Sequence, residues 1–423
     1  MKPFAVRHHI ILGLAVTLLI SLTGCGTIAK SLVFNHPTAK KIFTPPRPDR
    51  TVTGRAWTNS LGSGTNMITV LHVSGDNFYS LGYHHGRLLG PQVKATIEEV
   101  LEAAQGMLPA AARKHASHKV KQELVAEALD KAWAMMAPFT PQEELEEMAG
   151  LADGLKAAGI TGLGLSTIHR VHTLPDLSET SCSALVARGS ATGDGHVHEL
   201  RILDYGGGFG LEKRPLLTVY HAVRTNENSF LSIGWIGFVG VISGMNEKGV
   251  AISEMGYGNP PGETLAGEPM PFLLKQALRY ANTADEAACL IRAARRSNSY
   301  AYWLGDRLGG AIGMLTCAKE CQLFHINECA EIMDQQEKVP QFTDVIYAGH
   351  DNQTQGRLVA ASRGLLDVPH LQAMAKSIAM DSNLHTAIFD LTTRAVWVAN
   401  RHGSVRAADC AYLEFPYDLW WRD

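Results

Sequence analysis

Mid-chain, the run Thr180-Ser181-Cys182-Ser183 sets a thiol at the head of a segment rich in apolar and small residues. A turn-rich stretch, Gly189-Ser190-Ala191-Thr192-Gly193-Asp194-Gly195, then reverses the chain, and its Asp-Gly pair is a strong hairpin signal. Folding about Thr192/Gly193 sets Cys182 opposite Leu203, whereas folding about Asp194/Gly195 sets it opposite Gly207. Either register carries Arg201 and Asp204 towards the cysteine. A guanidinium beside a thiol favours the thiolate, which is the nucleophilic form. Asp204 can hold Arg201, or accept a hydrogen bond from an amine at residue 182. Alone, such a cysteine is more often an inert buried thiol and such an Arg–Asp pair more often structural. On an ideal strand Arg201 and Asp204 point to opposite faces, so spacing by itself leaves the chemistry open.

The elements that must hold these residues fall into two textures. Short strands are predicted between Arg55 and Val73. Apolar residues at helical spacing then predict helices over Phe78–Met107 and Ala111–Met136. A third, Thr140–Ala158, opens Thr140-Pro141-Gln142-Glu143, with threonine read as N-cap and proline at the first helical position. After Cys182, β-branched and aromatic runs punctuated by glycine predict strands over Cys182–Arg188, His196–Asp204, Leu216–Arg224, Phe230–Val241 and Gly249–Met255. Helices over Pro271–Asn282 and Thr283–Ala294 follow, the second with a Thr283…Glu286 capping box. Strands at Tyr300–Leu304, Gly310–Cys317 and Gln322–Ile326, a helix at Thr354–Leu365, and strands at Thr386–Asp390 and Ala395–Asn400 complete the chain. This order predicts an α+β fold of two stacked, mainly antiparallel sheets flanked by helices, with a helical N-terminal part.

The order Ser181-Cys182-Ser183, Thr192-Gly193-Asp194-Gly195, His198, Arg201-Ile202-Leu203-Asp204-Tyr205 resembles the N-terminal-nucleophile (Ntn) hydrolases and acyltransferases of the peptidase C45 group. That group includes the penicillin acyl-coenzyme A acyltransferases. The chain is similar, more distantly, to bile-salt hydrolases, penicillin V acylases and acid-ceramidase-like amidases. Three flanking segments agree: Tyr79–Leu89 with its paired glycines, Glu146–Gly154, and Met245-Asn246-Glu247-Lys248-Gly249-Val250. The resemblance spans roughly residues 75–400. It implies an αββα sandwich and a precursor in which the Cys182 thiol attacks the Ser181 carbonyl. Cys182 would then head a new chain, its thiol acting as nucleophile and its α-amino group as base on a linear C–N amide of an N-acyl substrate. An unperturbed α-amino group titrates near pH ~7.7–8.0, which suits that task. The resemblance also implies that Arg201 and Asp204 orient and tune the nucleophile. No metal or organic cofactor is required. Two departures stand out. Ile202 occupies a usual Asn position, and Tyr347-Ala348-Gly349-His350-Asp351-Asn352 replaces a Thr-Asn-His segment, with Gly349 where the oxyanion-hole Asn belongs. His350, Asn352 or a backbone amide near Met255–Gly256 can supply the missing donor. His350 with Asp351 or Asn352 also allows a Cys–His thiol hydrolase that is never cut. The missing donor equally allows an acyl-binding protein without turnover.

The N-terminus carries Lys2 and Arg7, an apolar run from Ile10 to Ile20, then Leu22-Thr23-Gly24-Cys25. This is the form of a secretory signal whose last motif resembles a bacterial lipobox, with the lipid on Cys25; a plain membrane anchor is the alternative. Gly26 points to an outer-membrane, periplasm-facing location in the cell envelope. The expected division is signal peptide 1–24, proline-rich tether 25–50, a mainly helical segment 51–181 that becomes the small chain, and the catalytic domain 182–423. A net charge of −3 and pI near 6.7 provide no basic field for nucleic acid. Cys317, Cys321, His325 and Cys329 match no standard zinc spacing and read as structural thiols or one local disulfide. His84 and His85 read as helix-surface residues, Asn246 as a turn residue, and Trp420-Trp421 as packing on the body.

Overall fold

The computed structural model describes residues 49–421 apart from 179–180, 206–208, 258–262, 329–330 and 335–336. The expected signal peptide, Cys25, nearly all of the tether, Cys329 and the glycines at 206–208 lie outside the described residues. No helix among the described residues is long and apolar enough to cross a membrane.

The chain opens with an antiparallel hairpin, β1 (Ala56–Leu61) and β2 (Ile68–Val73), where short strands are expected. Then come α1 (Phe78–Leu88), α2 (Gly90–Ala103), α3 (Ala110–His115), α4 (His118–Met136), α5 (Gln142–Ala157) and α6 (Leu165–His172). The single helix expected over 78–107 divides at Leu89, which leaves helical geometry at φ −112°, ψ 19°. Pro91 sits in the first turn of the second piece, where a missing N–H breaks no helical bond. Thr140 does not cap α5. Its hydroxyl donates instead to the Met136 carbonyl at 3.2 Å, and Pro141 takes the cap position without a side-chain acceptor.

Helices α1 and α5 pack almost backbone to backbone. A Cβ on Gly82 would overlap the Glu147 carbonyl oxygen, and one on Gly150 that of Tyr79; Gly86 and Gly154 repeat the arrangement one turn on. The paired glycines therefore exist for close approach rather than for turning.

Beyond them lie β3 (Ser181–Ala187), β4 (His198–Asp204), β5 (Pro215–Tyr220), β6 (Phe230–Trp235), β7 (Ser243–Asn246) and β8 (Val250–Gly256). Helices α7 (Met270–Tyr280) and α8 (Ala284–Ala293) precede β9 (Tyr300–Asp306), β10 (Ala311–Thr316), β11 (Cys321–His325), β12 (Glu331–Asp334), β13 (Glu337–Pro340) and β14 (Val345–Gly349). The chain closes with α9 (Asn352–Ala361), α10 (Val368–Ile378), β15 (Asn383–Asp390), β16 (Ala395–Asn400) and β17 (Leu413–Phe415). The strand expected over Phe230–Val241 ends at Trp235, because the chain turns at Gly237, whose φ is +96°, and β7 begins only at Ser243. Thr283 caps α8 as expected, accepting from the Glu286 amide, while Glu286 reaches back to the Asn282 amide.

The strands build a nine-stranded sheet in the order β1-β2-β5-β6-β7-β8-β9-β10-β11 and a six-stranded sheet in the order β14-β3-β4-β15-β16-β17; β12 and β13 form a separate ribbon. Both sheets are antiparallel except where β2 runs parallel to β5. The sheets stack face to face through β3, β4, β8 and β9, with α7 and α8 against the larger sheet and α9 and α10 against the smaller. The result is the four-layer α+β sandwich expected. Strands β1 and β2 of the 51–181 segment belong to the same sheet as β5–β11.

A fully buried polar knot joins α5 to α7. The Lys275 ammonium donates to Glu144 at 2.9 Å, to Glu147 and to the Val239 carbonyl, Arg279 pairs with Glu144 at 3.2 Å, and the Tyr220 hydroxyl donates to Glu147 at 3.0 Å. His85 is buried and not on the surface, and its Nε2 accepts from the Gly237 amide at 3.1 Å. His172 does the same for Val239. Burial holds both rings neutral, with pKa values pulled down to about 3 and about 4. His84 is half-buried against the Thr53 carbonyl. Asn246 is the expected turn residue, accepting from the Lys248 and Val250 amides while its amide group clamps the end of α7. Trp420 packs into the body.

Candidate functional site

The β3–β4 hairpin adopts the first of the two registers open to it, with Cys182 opposite Leu203, Arg201 opposite Ala184 and Asp204 opposite Ser181. Directly paired residues share a face, and faces alternate along a strand. Cys182, Ala184, Arg201 and Leu203 therefore face the nine-stranded sheet. Ser181, Ser183, Ile202 and Asp204 face the helical layer.

On the inner face the Arg201 guanidinium is fully buried. It donates to the Ile202 carbonyl at 2.8 Å and to Ser243 Oγ at 3.3 Å, and pairs with Glu254 at 3.4 Å across the sheets. Ser243 Oγ also meets His385 Nε2 at 3.0 Å. Burial, backed by the Arg201 charge, lowers the His385 pKa to about 3, so the ring is neutral. Burial also lifts the Glu254 pKa to about 7, a rise that Arg201 opposes. Cys182 is buried, at 4% exposure.

Leu203 and Glu254 both border a cavity of about 840 Å³ between the sheets, its mouth included. Tyr205, Phe209, Trp235 and Phe238 make its walls aromatic, and Val100 and Leu174 join them from the segment before Cys182. Few of its groups are polar: Ser178, Thr218, Ser232 and Glu254 are the main ones. A pocket with apolar walls and a small convergent polar floor is the ordinary form of a small-molecule site.

The outer face carries a second group. His350 Nδ1 lies 3.2 Å from Ser183 Oγ and 3.5 Å from Asp204 Oδ2, while its backbone amide donates to the Cys182 carbonyl at 3.1 Å. Asp204 Oδ1 accepts from the Met380 amide, and its buried Oδ2 has no hydrogen-bond partner among the described residues. Burial raises the Asp204 pKa to about 7 and lowers that of His350. Strand alternation thus sets the His350 ring on Ser183 and Asp204 rather than on the cysteine's side chain. Asn352 is likewise engaged, its Oδ1 accepting from the Gly349 amide at 2.8 Å. Gly349 allows β14 to lie against β3, since a Cβ there would overlap Ser183 Oγ. The structure brings Cys182 and Arg201 onto one face and Asp204 and His350 onto the other, with residue 182's backbone between them. Ser181 is exposed at the head of β3.

Glu254, Ser243, His385 and the aromatic walls escape the reading by motif. Glu254 had a signal: it is the one charge within the apolar run Val250–Met255. Cys289, Cys317, Cys321 and Cys410 stand outside any disulfide among the described residues, and Cys317 is a buried thiol accepting from the Glu320 amide at 3.3 Å.

Fold and site together define a class: a four-layer α+β sandwich with an apolar cavity between the sheets, bordered by Leu203, the β4 partner of the thiol-bearing Cys182. No family model matches the chain. Protein dcd1B of Dictyostelium discoideum is 24% identical over 352 residues, covering 80% of this chain and 69% of its own length. Protein dcd1A of the same organism is 24% identical over 370 residues, covering 80% of each. Among solved structures, a Caenorhabditis elegans N-acylethanolamine-hydrolyzing acid amidase ortholog aligns with TM-score 0.39 and 11% identity, over 50% of this chain and 93% of its own. A mutant conjugated bile acid hydrolase from Clostridium perfringens aligns with TM-score 0.37 and 12% identity, over 56% and 93%. Penicillin V acylase from Agrobacterium tumefaciens aligns at 0.34 and 12%, over 52% and 83%.

Proposed function

We propose that this chain is a cysteine Ntn hydrolase or acyltransferase that first cuts its own Ser181–Cys182 bond and then a linear amide of an N-acyl substrate. The observation that carries this reading is the shared inner face of Cys182 and Arg201 beside an apolar cavity floored by Glu254. In the first reaction the Cys182 thiol adds to the Ser181 carbonyl, the acyl group moves from nitrogen to sulfur, and water opens the thioester. The exposure of Ser181 suits the entry of that water. The new α-amino group then serves as base. It removes the thiol proton, returns it to the leaving amine, and activates the water that releases the acyl group.

Arg201, charged and desolvated, favours the thiolate on its face. Asp204 Oδ2, buried and lacking a hydrogen-bond partner among the described residues, supports a role in receiving the ammonium form of the new chain end. The His350 ring beside it acts in this reading on Asp204, not on sulfur. With Gly349 filled by β3 and Asn352 engaged, backbone amides near Met255–Gly256 are the remaining oxyanion donors. The aromatic cavity walls favour an apolar acyl group, and a lipid on Cys25 would hold the enzyme to the cell envelope, in the outer membrane facing the periplasm.

Intact-mass and N-terminal analysis of the purified protein tests the proposal. Two fragments are expected, the larger beginning at Cys182, with one uncut chain for Cys182→Ala. An unbroken wild-type chain that hydrolyses no N-acyl amide would overturn it. The glycine at 349 motivates a second reading, an acyl-binding protein without turnover, and that outcome combined with acyl-ligand binding would support it.

A further inference from the structure

At the far end of the β3–β4 hairpin, a second cluster stands apart from the cysteine. We propose that Asp194, His196, His198 and Asp390 bind one divalent transition-metal ion, Zn²⁺ by their donor type.

The sequence Asp194-Gly195-His196-Val197-His198 spaces its donors at every second residue, and the chain bends at Gly195, whose φ is +76°, before entering β4 at His198. His198 opens β4 and pairs directly with Asp390, the last residue of β15. Its Nε2 lies 2.9 and 3.1 Å from the two oxygens of Asp194. His196 Nδ1 lies 2.8 Å from Asp390 Oδ2 and 3.8 Å from Asp194 Oδ2. The ligand atoms of Asp194, His196 and His198 all fall within 4.8 Å of one another. Donors at bond lengths of ~2.0–2.1 Å in a tetrahedron stand about 3.3 Å apart, and the separations of 2.8, 2.9 and 3.8 Å given above bracket that value.

The chemistry also fits. Two carboxylates and two imidazoles are a borderline-hard set suited to Zn²⁺, and the ion would offset both negative charges. The supporting contacts are in place: Asp390 Oδ1 accepts from the Thr392 and Thr393 amides, and Asp194 Oδ1 from the His196 amide. Outer contacts of this kind fix the orientation of metal-binding carboxylates. His198 and Asp390 are buried, while Asp194 and His196 are partly open and leave a route of entry. His198 lies five residues along β4 from Leu203, the partner of Cys182, or about 17 Å at ~3.4 Å per residue. The ion would therefore staple the β3–β4 turn to the β15–β16 turn and take no part in amide cleavage.

The test uses the whole protein, purified without a histidine tag and stripped with a chelator. Zn²⁺ is titrated calorimetrically, and Co²⁺ is followed by visible absorption. One equivalent of Zn²⁺ and the intense bands of tetrahedral Co²⁺ are expected. His196→Ala and Asp194→Asn, both at the solvent side, should each weaken binding at least tenfold while circular dichroism stays unchanged. Absence of uptake by wild type would overturn the proposal. So would equal uptake by the Asp194→Asn/His196→Ala double variant, which would place the metal on the cysteines or elsewhere.

Discussion

Arg201 is the residue whose environment constrains the site most tightly. Its side chain is fully buried, and Glu254 opposite it is the charge that compensates it. Removing one partner of such a pair strands the other in a medium that cannot solvate it, at a typical cost of about 3–5 kcal/mol, whereas replacing both by apolar groups is often neutral. Arg201→Met should therefore lower unfolding stability by about that amount, and Arg201→Met/Glu254→Met should recover most of it while remaining inactive. Denaturant titration of the three proteins reads the coupling. A second residue-scale prediction concerns Glu199, buried between the sheets with its carboxyl on Ser253 Oγ at 2.5 Å. Burial raises its pKa from 4.5 to about 8. The folded protein keeps this proton where the unfolded chain has lost it, so its contribution to stability falls as pH rises from 4.5 through about 8. Glu199→Gln carries no such proton. Its stability relative to wild type should grow across that window and level off above it, as denaturant midpoints at pH 5 and pH 9 will show. The buried histidines act in the opposite direction: His85 and His385, with pKa values near 3, withdraw stability as pH falls below 6.5.

At the scale of elements, the α1–α5 contact makes a sharp forecast. Gly→Ala inside a helix ordinarily gains about 0.5–1 kcal/mol. At Gly82 or Gly150 the added methyl would meet a carbonyl oxygen of the facing helix, and overpacking of about 1–3 kcal/mol or more outweighs that gain. Gly82→Ala should lower the melting temperature or abolish soluble expression, while Gly106→Ala, in open space, should change neither. Much of this level was legible in the sequence. The turn-rich stretch 189–195 narrowed the β3–β4 register to two choices, of which the structure takes the Thr192/Gly193 one rather than that of the Asp-Gly pair, and periodicity located most helices and strands. The residues it misjudged have a common physical cause, burial decided by distant neighbours. His85 follows Phe78 and Leu81 at helical spacing and so lies on the buried face, but the need of a loop amide at Gly237 for an acceptor leaves no local trace. Strands β12–β14, the short helix α6 and the helix α10 were missed because their pairing or packing partners, not their own composition, define them. The cavity belongs to the same category. Its walls come from segments as separate as Val100, Leu174, Tyr205 and Trp235.

For the whole molecule, the arrangement of the parts before and after residue 182 matters most. The parallel pairing of β2 with β5 and the knot of Glu144, Glu147, Lys275 and Arg279 join them without regard to the bond between 181 and 182. Fragments produced there should co-elute in size-exclusion chromatography and separate only in denaturant. Lys275→Met should leave two carboxylates buried without their shared cation, lowering stability by about 3–5 kcal/mol and loosening the fragments from each other. The same shared sheet has a consequence over time. A nick at residue 181 leaves a nine-stranded sheet that two polypeptides hold in common, so recovery from full denaturation becomes a second-order encounter with a concentration dependence that the uncut precursor lacks. Such a protein would persist by the slowness of its opening rather than by reversible equilibrium, and each molecule would assemble efficiently only once.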